Sequence, residues 1–314
     1  MLQLTLITSV LNGMPFLGEM LASIPADARV EHLVIDAGST DGSLELAGAN
    51  PRLHVASRPG LPLYDAWNEG VAMASGRFVW FVNADDRLGP GALARALTAI
   101  EQNKGADVIA GNANAFVATE DAGEVIRWHY AGIPLAGLTL ASLLFGAPLI
   151  NAKLFHRDLF ATLGSFDTSY AFAADREFLL RLLQRQPPAV CRHLDALLYR
   201  YRIHGGSKTL QPNPARRVEI SLEHRRIALA LLRHATPGTA SRELLQAWLA
   251  HEQAVTALRG ALSGKAGEAS AAACAFAVTP HRSINRLMLA RHARRDYRAA
   301  LLRAAPAPHA EPSR

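Results

Sequence analysis

The stretch Val79-Trp-Phe-Val-Asn-Ala-Asp-Asp86 is an apolar run that ends in two adjacent carboxylates. A parallel strand that is buried on both faces has such a continuous apolar run. Ligands of open α/β sheets bind beyond the carboxyl ends of the strands. We therefore expect Asp85 and Asp86 to lie at the mouth of a site, where paired oxygens suit Mg²⁺ or Mn²⁺ carrying a phosphorylated ligand. The alternative is a strand that ends in an ordinary polar turn.

Strand and helix patterns alternate on both sides of this stretch. Predicted strands cover residues 4–10, 32–36, 53–57, 78–82 and 108–111, and predicted helices cover residues 15–23, 43–49, 63–74 and 91–103. This alternation is typical of βαβ units, so it predicts an α/β fold with a mostly parallel central sheet flanked by helices. Later segments predict strands at 125–129 and 190–201 and helices at 138–144 and 175–184.

The composition changes after Gln211-Pro-Asn-Pro214, where Ala, Leu and Arg become dominant. Residues 222–234 and 243–259 have amphipathic helix patterns, and 283–302 is a third helix candidate. We therefore divide the 314 residues into an α/β catalytic domain (1–210), a helical C-terminal extension (211–304) and a Pro-rich tail (305–314) that we expect to be disordered.

The sequence favours a cytoplasmic protein. No run reaches the roughly 18 apolar residues that a membrane-spanning helix needs. The first residues lack the basic region and cleavage site of a signal peptide, so they predict a first strand instead. Cys191 and Cys274 are isolated, which fits a reducing compartment and gives no metal-ligand spacing.

A basic segment lies near the C-terminus. Between His281 and Arg303 there are seven arginines against Asp296 alone, a difference equal to the formal net charge of +6 for the whole chain. Such a segment can contact anionic lipid, which would make the protein peripheral on the inner face of the membrane. The alternative is a helix packed on the catalytic domain or in a homodimer, with its arginines in water. We expect no nucleic-acid partner.

Three further polar groups lie at element ends. Asp36 ends the second predicted strand, and the Gly-Ser-Thr that follows it can form a tight turn and cap the next helix. This loop is not G-x-G-x-x-G, so it gives little support to dinucleotide binding. Asp175 begins a helix and can serve as a general base. His204 offers a neutral nitrogen beside a Gly pair.

Six short motifs occur in one order. They are Asp36-Ala-Gly-Ser-Thr-Asp-Gly42, Tyr64-Asp-Ala-Trp-Asn-Glu-Gly70, Asn83-Ala-Asp-Asp86, Leu163-Gly-Ser-Phe-Asp-Thr-Ser-Tyr170, Ala174-Asp175 and Tyr201-Arg-Ile-His-Gly-Gly-Ser207. Together they resemble the family 2 glycosyltransferases with the GT-A fold, in the bacterial branch that builds surface polysaccharides. The resemblance covers residues 1–210. It implies an inverting transferase that moves a sugar from a nucleotide-diphosphate donor to a saccharide or lipid-linked acceptor.

The resemblance also implies site residues for the donor. Ser9 and Asp36 would face the nucleotide base and ribose. Asp65 and Asn68 would flank the nucleotide pocket from the following helix. These four positions predict the nucleotide half of the site.

The remaining implied residues concern the metal and the chemistry. Asp85 and Asp86 match the D-x-D-type site for Mg²⁺ or Mn²⁺, with Asp86 expected to be the direct metal ligand. Asp175 matches the catalytic base of inverting members. His204 lies in a loop that closes over the diphosphate and touches the metal in relatives. Glu177 is a rival base, although Asp175 fits the motif better because it begins the helix.

One segment departs from the family pattern, and two other functions stay open. Relatives read like Glu-x-Asp-x-Gly-Ile where this chain has Arg58-Pro-Gly-Leu-Pro-Leu63, which bears on nucleotide or sugar selection. A nucleotidyltransferase is one alternative, but its Gly-rich basic first loop is absent from Thr8-Ser-Val-Leu-Asn-Gly13. A non-catalytic sugar-nucleotide-binding protein is the other, and loss of turnover without Asp175 would distinguish it from an enzyme.

Overall fold

The computed structural model describes residues 2–119, 123–207, 214–262, 267, 270 and 280–303. Within these residues, nine strands form one mixed sheet in the order β3-β2-β1-β4-β8-β6-β9-β5, with β7 paired to β6. The strands are β1 (Leu4–Val10), β2 (Val30–Asp36), β3 (His54–Ser57), β4 (Phe78–Phe81), β5 (Arg87–Leu88), β6 (Val108–Thr119), β7 (Gly123–Tyr130), β8 (Lys153–His156) and β9 (Cys191–Arg202).

The parallel part of the predicted sheet is confirmed for β1 to β4. Strand β1 pairs in parallel with both β2 and β4, and β2 pairs in parallel with β3. All four residues of β4 are buried, as its apolar run predicts. Strand β8, which the sequence did not reveal, pairs antiparallel with both β4 and β6. The sheet is therefore more mixed than predicted.

Helices cover both faces of the sheet and continue beyond it. Within the described residues they are α1 (Leu17–Ala22), α2 (Ser43–Gly48), α3 (Leu63–Met73), α4 (Ala92–Gln102), α5 (Ile133–Ala136), α6 (Leu140–Phe145), α7 (Asp158–Leu163), α8 (Ala174–Leu183), α9 (Pro214–His234), α10 (Ala240–Leu262) and α11 (Pro280–Arg303), with a 3₁₀ turn at Ile150–Ala152.

An aromatic cluster fixes α3 and α8 to the sheet. Trp67 of α3 stacks on Phe81 of β4 with ring centroids 4.6 Å apart. Phe166, in the turn before α8, lies 5.3 Å from Phe81 and 4.9 Å from Phe178 of α8. Such aromatic pairs stabilise by large buried area and by ring geometry. They place the beginnings of α3 and α8 beside the carboxyl end of β4.

The three C-terminal helices pack on one another and on the sheet domain. Trp248 of α10 is fully buried. Helix α11 contacts α10 and also α6, where the Tyr297 hydroxyl accepts a hydrogen bond from the backbone N–H of Ala147 at 3.3 Å. Arg291, Arg295 and Arg298 of α11 are exposed. These contacts correspond to the packed alternative for this segment, and lipid contact stays a prediction.

Among the described residues, no helix combines the length and apolarity needed to cross a bilayer. The predicted disordered tail, residues 305–314, lies outside the described residues. The boundary predicted at 210/211 falls in a segment that is also outside them, so the division into domains stays a prediction.

Candidate active site

A cavity of about 1050 Å³ opens beyond the carboxyl ends of β1 and β4. These two strands adjoin where the chain switches sides of the sheet, the usual position of ligands in α/β folds. Among the predicted site residues, those that line the cavity are Ser9, Asp85, Asp86, Asp175 and His204. Its volume lies at the upper end of small-molecule sites and leaves room for two substrates.

Asp36 lies just behind the cavity wall, which Ala37 forms. Its side chain is 1% exposed, and Oδ1 accepts hydrogen bonds from the backbone N–H groups of Gly38 and Ser39 at 2.9 and 3.0 Å. Oδ2 is buried and has no hydrogen-bond partner among the described residues. A buried acceptor without a donor is unfavourable, so a ligand N–H or O–H at this edge would stabilise it.

The polar motif after Asp36 supports the first loop of the chain as well as the beginning of α2. Oγ of Ser39 accepts the backbone N–H of Asn12 at 3.0 Å. Oγ of Ser43 accepts that of Gly13 at 2.9 Å, and Oδ2 of Asp41 accepts that of Met14 at 2.8 Å. Helix α2 begins after Gly42, which has no side chain to cap it, and Oδ1 of Asp41 accepts the backbone N–H of Ser43 at 3.1 Å. The predicted cap by Ser39 or Thr40 is therefore wrong, and the motif shapes the loop that lines the cavity beyond Ser9.

Asp85 and His204 meet inside the cavity. Oδ2 of Asp85 lies 2.9 Å from Nε2 of His204, and both side chains remain partly exposed. The His204 ring packs on Phe16 with centroids 4.6 Å apart, and its backbone N–H donates to Oγ of Ser207 at 3.1 Å. The end of β4 and the loop after β9 therefore bring one carboxylate and one imidazole together in the cavity. No group of three or more potential metal ligands occurs in the described part of the chain.

Asp86 is held by the protein on both oxygens. Oδ1 accepts the backbone N–H of Arg202 at 2.7 Å, and Oδ2 accepts the Tyr199 hydroxyl and the Asn83 amide, each at 2.9 Å. Burial, and then the charge of Asp85, raise the pKa of Asp86 well above its usual range, while the three donors oppose this increase. At 3% exposure, Asp86 has little surface to offer a cation. The prediction that Asp86 is the direct metal ligand stays a prediction, and these three hydrogen bonds also give Asp86 a structural role.

Asp175 is recessed at the beginning of α8 and faces the cavity. Its Oδ1 accepts the Tyr64 hydroxyl at 3.3 Å and the Arg176 backbone N–H at 2.7 Å, while Oδ2 has no hydrogen-bond partner among the described residues. Burial raises the pKa of Asp175, and the Arg176 charge opposes this increase. The rival Glu177 binds Arg181 through both oxygens, at 3.0 and 2.9 Å, and does not line the cavity.

Neither residue predicted on α3 lines the cavity. The Asn68 amide pairs with the backbone of Phe166, accepting its N–H at 2.9 Å and donating to its carbonyl at 3.0 Å. Both groups of the Asn68 amide therefore hold the turn before α8, and the nucleotide contact predicted for Asn68 stays a prediction. Asp65 lies on the same helix and does not line the cavity, and its nucleotide contact also stays a prediction.

Glu223 of α9 is a site residue that the sequence did not reveal. Its buried carboxylate accepts the backbone N–H groups of Ala171, Phe172 and Ala173 at 2.8, 2.9 and 2.9 Å. The Phe172 carbonyl in turn accepts the Tyr64 hydroxyl that also contacts Asp175. A helix of the C-terminal extension thus fixes the segment that carries Asp175. No motif marks this position.

Comparison with known proteins identifies relatives of both sequence and fold. Residues 5–163 match the family described as glycosyl transferase family 2. An uncharacterized glycosyltransferase of Mycobacterium tuberculosis is 30% identical over 197 residues, covering 56% of this chain and 67% of that protein. A PGL/p-HBAD biosynthesis glycosyltransferase of Mycobacterium bovis is 29% identical over 182 residues, covering 56% and 66%.

Solved structures share the fold at low sequence identity. S. aureus TarS 1–349 in complex with UDP is 17% identical, with a TM-score of 0.57 over 95% of this chain and 92% of that one. The longer TarS chain is covered for 43% of its length. The mannosyltransferase PcManGT from Pyrobaculum calidifontis, in complex with GDP-Man and Mn²⁺, is 16% identical, with a TM-score of 0.54 over 96% and 84%. These similarities confirm the predicted GT-A fold.

Proposed function

The chain belongs to glycosyl transferase family 2, and on this premise we propose that it is an inverting transferase that uses a nucleotide-diphosphate sugar. The observation that carries the proposal is the shared cavity, which brings the Asp85–His204 pair and the recessed carboxylate of Asp175 together. The Asp85–His204 pair would serve the donor diphosphate, and the Asp175 carboxylate would serve the acceptor hydroxyl. Family membership favours a transferase over the two alternatives, a nucleotidyltransferase and a non-catalytic binding protein.

The nucleotide would lie along the ends of β1 and β2. The unpartnered Oδ2 of Asp36 supports this position, because a base or ribose donor there would satisfy a buried acceptor. Ser9 lies on the same wall. We assign Asn68 a positioning role for the turn at Phe166 rather than a nucleotide contact.

Asp85 and His204 are the residues that fit a divalent cation. One carboxylate oxygen and one imidazole nitrogen, 2.9 Å apart and open to the cavity, suit Mn²⁺ or Mg²⁺. Two protein ligands are enough where substrate phosphates and water complete the coordination. When bound, such a cation supplies charge stabilisation for the leaving diphosphate. Asp86 would instead orient this strand end through its bonds to Arg202 and Tyr199.

Asp175 would act as the general base. The Tyr64 hydroxyl and the Arg176 N–H occupy Oδ1, which leaves Oδ2 to accept the proton of the acceptor hydroxyl. Removal of this proton as the hydroxyl attacks the anomeric carbon from the side opposite the diphosphate would invert the configuration in one displacement. Water must be kept from the donor, and the C-terminal helices that line the cavity contribute to its enclosure.

The acceptor is proposed to be a saccharide or a lipid-linked sugar in cell-surface polysaccharide synthesis. The family resemblance and the relative named for PGL/p-HBAD biosynthesis support this assignment. Synthesis on a lipid-linked acceptor would place the protein in the cytoplasm against the inner face of the membrane, where the exposed arginines of α11 could contact anionic lipid.

A panel of UDP, GDP and dTDP sugars with Mn²⁺ tests the proposed donor class. We expect one nucleotide diphosphate to raise the melting temperature in Mn²⁺ and to lose this effect in EDTA, since a ligand of the folded state stabilises by mass action. NMR of the transfer product should show the inverted anomer. Retention of configuration, or stabilisation that is equal in EDTA, would contradict the inverting or the metal-dependent mechanism respectively.

Substitution Glu223→Gln tests the role of α9 in positioning the base. An amide offers one oxygen to three backbone donors and turns its own N–H groups toward them. We expect a loss of stability of about 1–3 kcal/mol and a fall in kcat with the donor KM almost retained. Glu243→Gln, at an exposed position of α10, is the matched control. Wild-type kcat and melting temperature for Glu223→Gln would exclude this role.

A further inference from the structure

The side of the cavity formed by the C-terminal helices is strongly basic. Arg217 of α9, Arg259 of α10 and Arg294 of α11 line it, together with Arg176 of α8. We call these four residues the arginine cluster. All four lie beyond residues 5–163, which match the family. The described acidic groups on this side of the cavity are Asp175 and Glu252.

The cluster contains guanidinium groups that the protein leaves without partners. Arg217 and Arg259 make no hydrogen bond or ion pair with the described residues. Arg176 is 8% exposed; its Nη2 donates to the Gly146 carbonyl at 3.0 Å, but its Nη1 is buried with no partner among the described residues. A buried donor without an acceptor is costly. The site therefore lacks an acceptor group at this position.

The nearby carboxylate and imidazole groups do not provide the acceptor that Nη1 of Arg176 lacks. Burial raises the pKa of Glu252, but His224, then the charge of His251 and a hydrogen bond with Ser221, together lower it to about 2. Its Oε1 lies 3.3 Å from Nδ1 of His224. Burial lowers the pKa of His251, and the Glu252 charge opposes this decrease. Nε2 of His251 pairs with Nη1 of Arg294. Burial, and then the Arg217 charge, lower the pKa of Arg259; the Glu252 charge opposes this decrease, and the Arg294 charge adds to it. Like charges thus face one another here.

The cluster adjoins the base rather than the proposed metal ligands. Arg176 follows Asp175 directly, and the charges of Arg176 and His224 both act on the Asp175 carboxyl. The charged groups that act on Asp86 are different ones, first of all Asp85. The acceptor hydroxyl must reach Asp175, so the cluster lies where the body of an acceptor would extend.

We propose that the arginine cluster binds a phosphate group carried by the acceptor substrate. The planar fork of arginine matches phosphate oxygens in paired, charge-assisted hydrogen bonds. A phosphate would give Nη1 of Arg176 its missing acceptor and would relieve the repulsion among Arg217, Arg259 and Arg294. This assignment rests on the proposed transferase function and specifies its acceptor as a phosphorylated or phosphate-linked sugar.

Calorimetric titration of the full chain with inorganic phosphate tests the cluster. The titration is run with and without a saturating nucleotide diphosphate and Mn²⁺, so that the donor side is occupied in one arm. We expect phosphate to bind in both arms. Arg217→Gln and Arg259→Gln should each weaken phosphate binding about 10-fold, the effect of losing one charge-assisted hydrogen bond. Arg233→Gln, an exposed position of α9 outside the cavity, should leave it unchanged.

A second ligand distinguishes the source of the phosphate. Farnesyl phosphate that binds more tightly than inorganic phosphate would assign the group to a lipid-linked acceptor, and equal affinities would assign it to a water-soluble phosphorylated sugar. Two results would overturn the proposal. One is full displacement of phosphate by the nucleotide, and the other is wild-type phosphate affinity in both Arg217→Gln and Arg259→Gln. Nucleotide binding is measured in the same variants, so a chain that binds phosphate but no nucleotide would contradict the donor assignment and leave the cluster supported.

Discussion

Asp175→Asn should lower kcat by about 10²–10⁴-fold, the usual contribution of a general base. The substitution keeps the size of the side chain and its oxygen near Tyr64, but it removes the oxygen that can accept a proton. Donor binding should be almost unchanged, because only the transition state uses the proton transfer. Initial rates and nucleotide affinity, measured on the same preparation, separate these two effects.

Glu177→Gln is the control for this prediction. Its carboxylate is already paired with Arg181, so the variant should lose stability but little of the chemical step. Should Glu177→Gln abolish turnover while Asp175→Asn keeps it, the base would be Glu177.

The pH profile gives a second measure of the same group. Since burial raises the pKa of Asp175 above the ordinary aspartate value of 3.8, the base becomes protonated at a higher pH than an exposed aspartate would. We expect kcat/KM to fall as the pH drops through this raised pKa. Asp175→Asn should abolish this acid limb, and an unchanged limb in the variant would assign it to another group.

The alternation of apolar runs was enough to predict the parallel part of the sheet and its helices. The β8 strand, Lys153–His156, was not predicted because four residues are too few to show a periodic pattern. Strand β6 continues to Thr119, well past its predicted end at 111. Asn112 and Asn114 interrupt the apolar run, and they find partners in Asp195 and Arg200 only once β9 lies beside β6.

Spacing along the chain located the site residues better than it assigned their roles. Asp85, Asp175 and His204 belong to three distant segments, and all three line one cavity. The roles of Asp86 and Asn68 depend on what surrounds each side chain, which spacing does not specify. Glu223 and the arginine cluster act through helices that fold back over the sheet, so they have no local signal at all.

The second large effect concerns the metal and contrasts two neighbouring carboxylates. Asp85→Ala should abolish the Mn²⁺ dependence of nucleotide binding and most of the turnover, because one of the two protein ligands is lost. The fold should survive, since the Asp85 side chain is 34% exposed and has His204 as its side-chain partner. His204→Ala should behave in the same way, with a melting temperature close to that of the wild type in the absence of ligand.

Asp86→Asn should give the opposite pattern. The asparagine has one oxygen for the Arg202, Tyr199 and Asn83 donors, and its own amide group would face a donor in a buried site. Leaving such a group unsatisfied costs about 1–3 kcal/mol, so the melting temperature should fall. Nucleotide binding should still respond to Mn²⁺, with lower affinity because the strand end that carries Asp85 is less well ordered. If Asp86→Asn keeps wild-type stability but loses the response to Mn²⁺, Asp86 would be the metal ligand after all. Thermal denaturation and nucleotide titration of the Asp85 and Asp86 variants therefore decide which of the two adjacent carboxylates binds the metal.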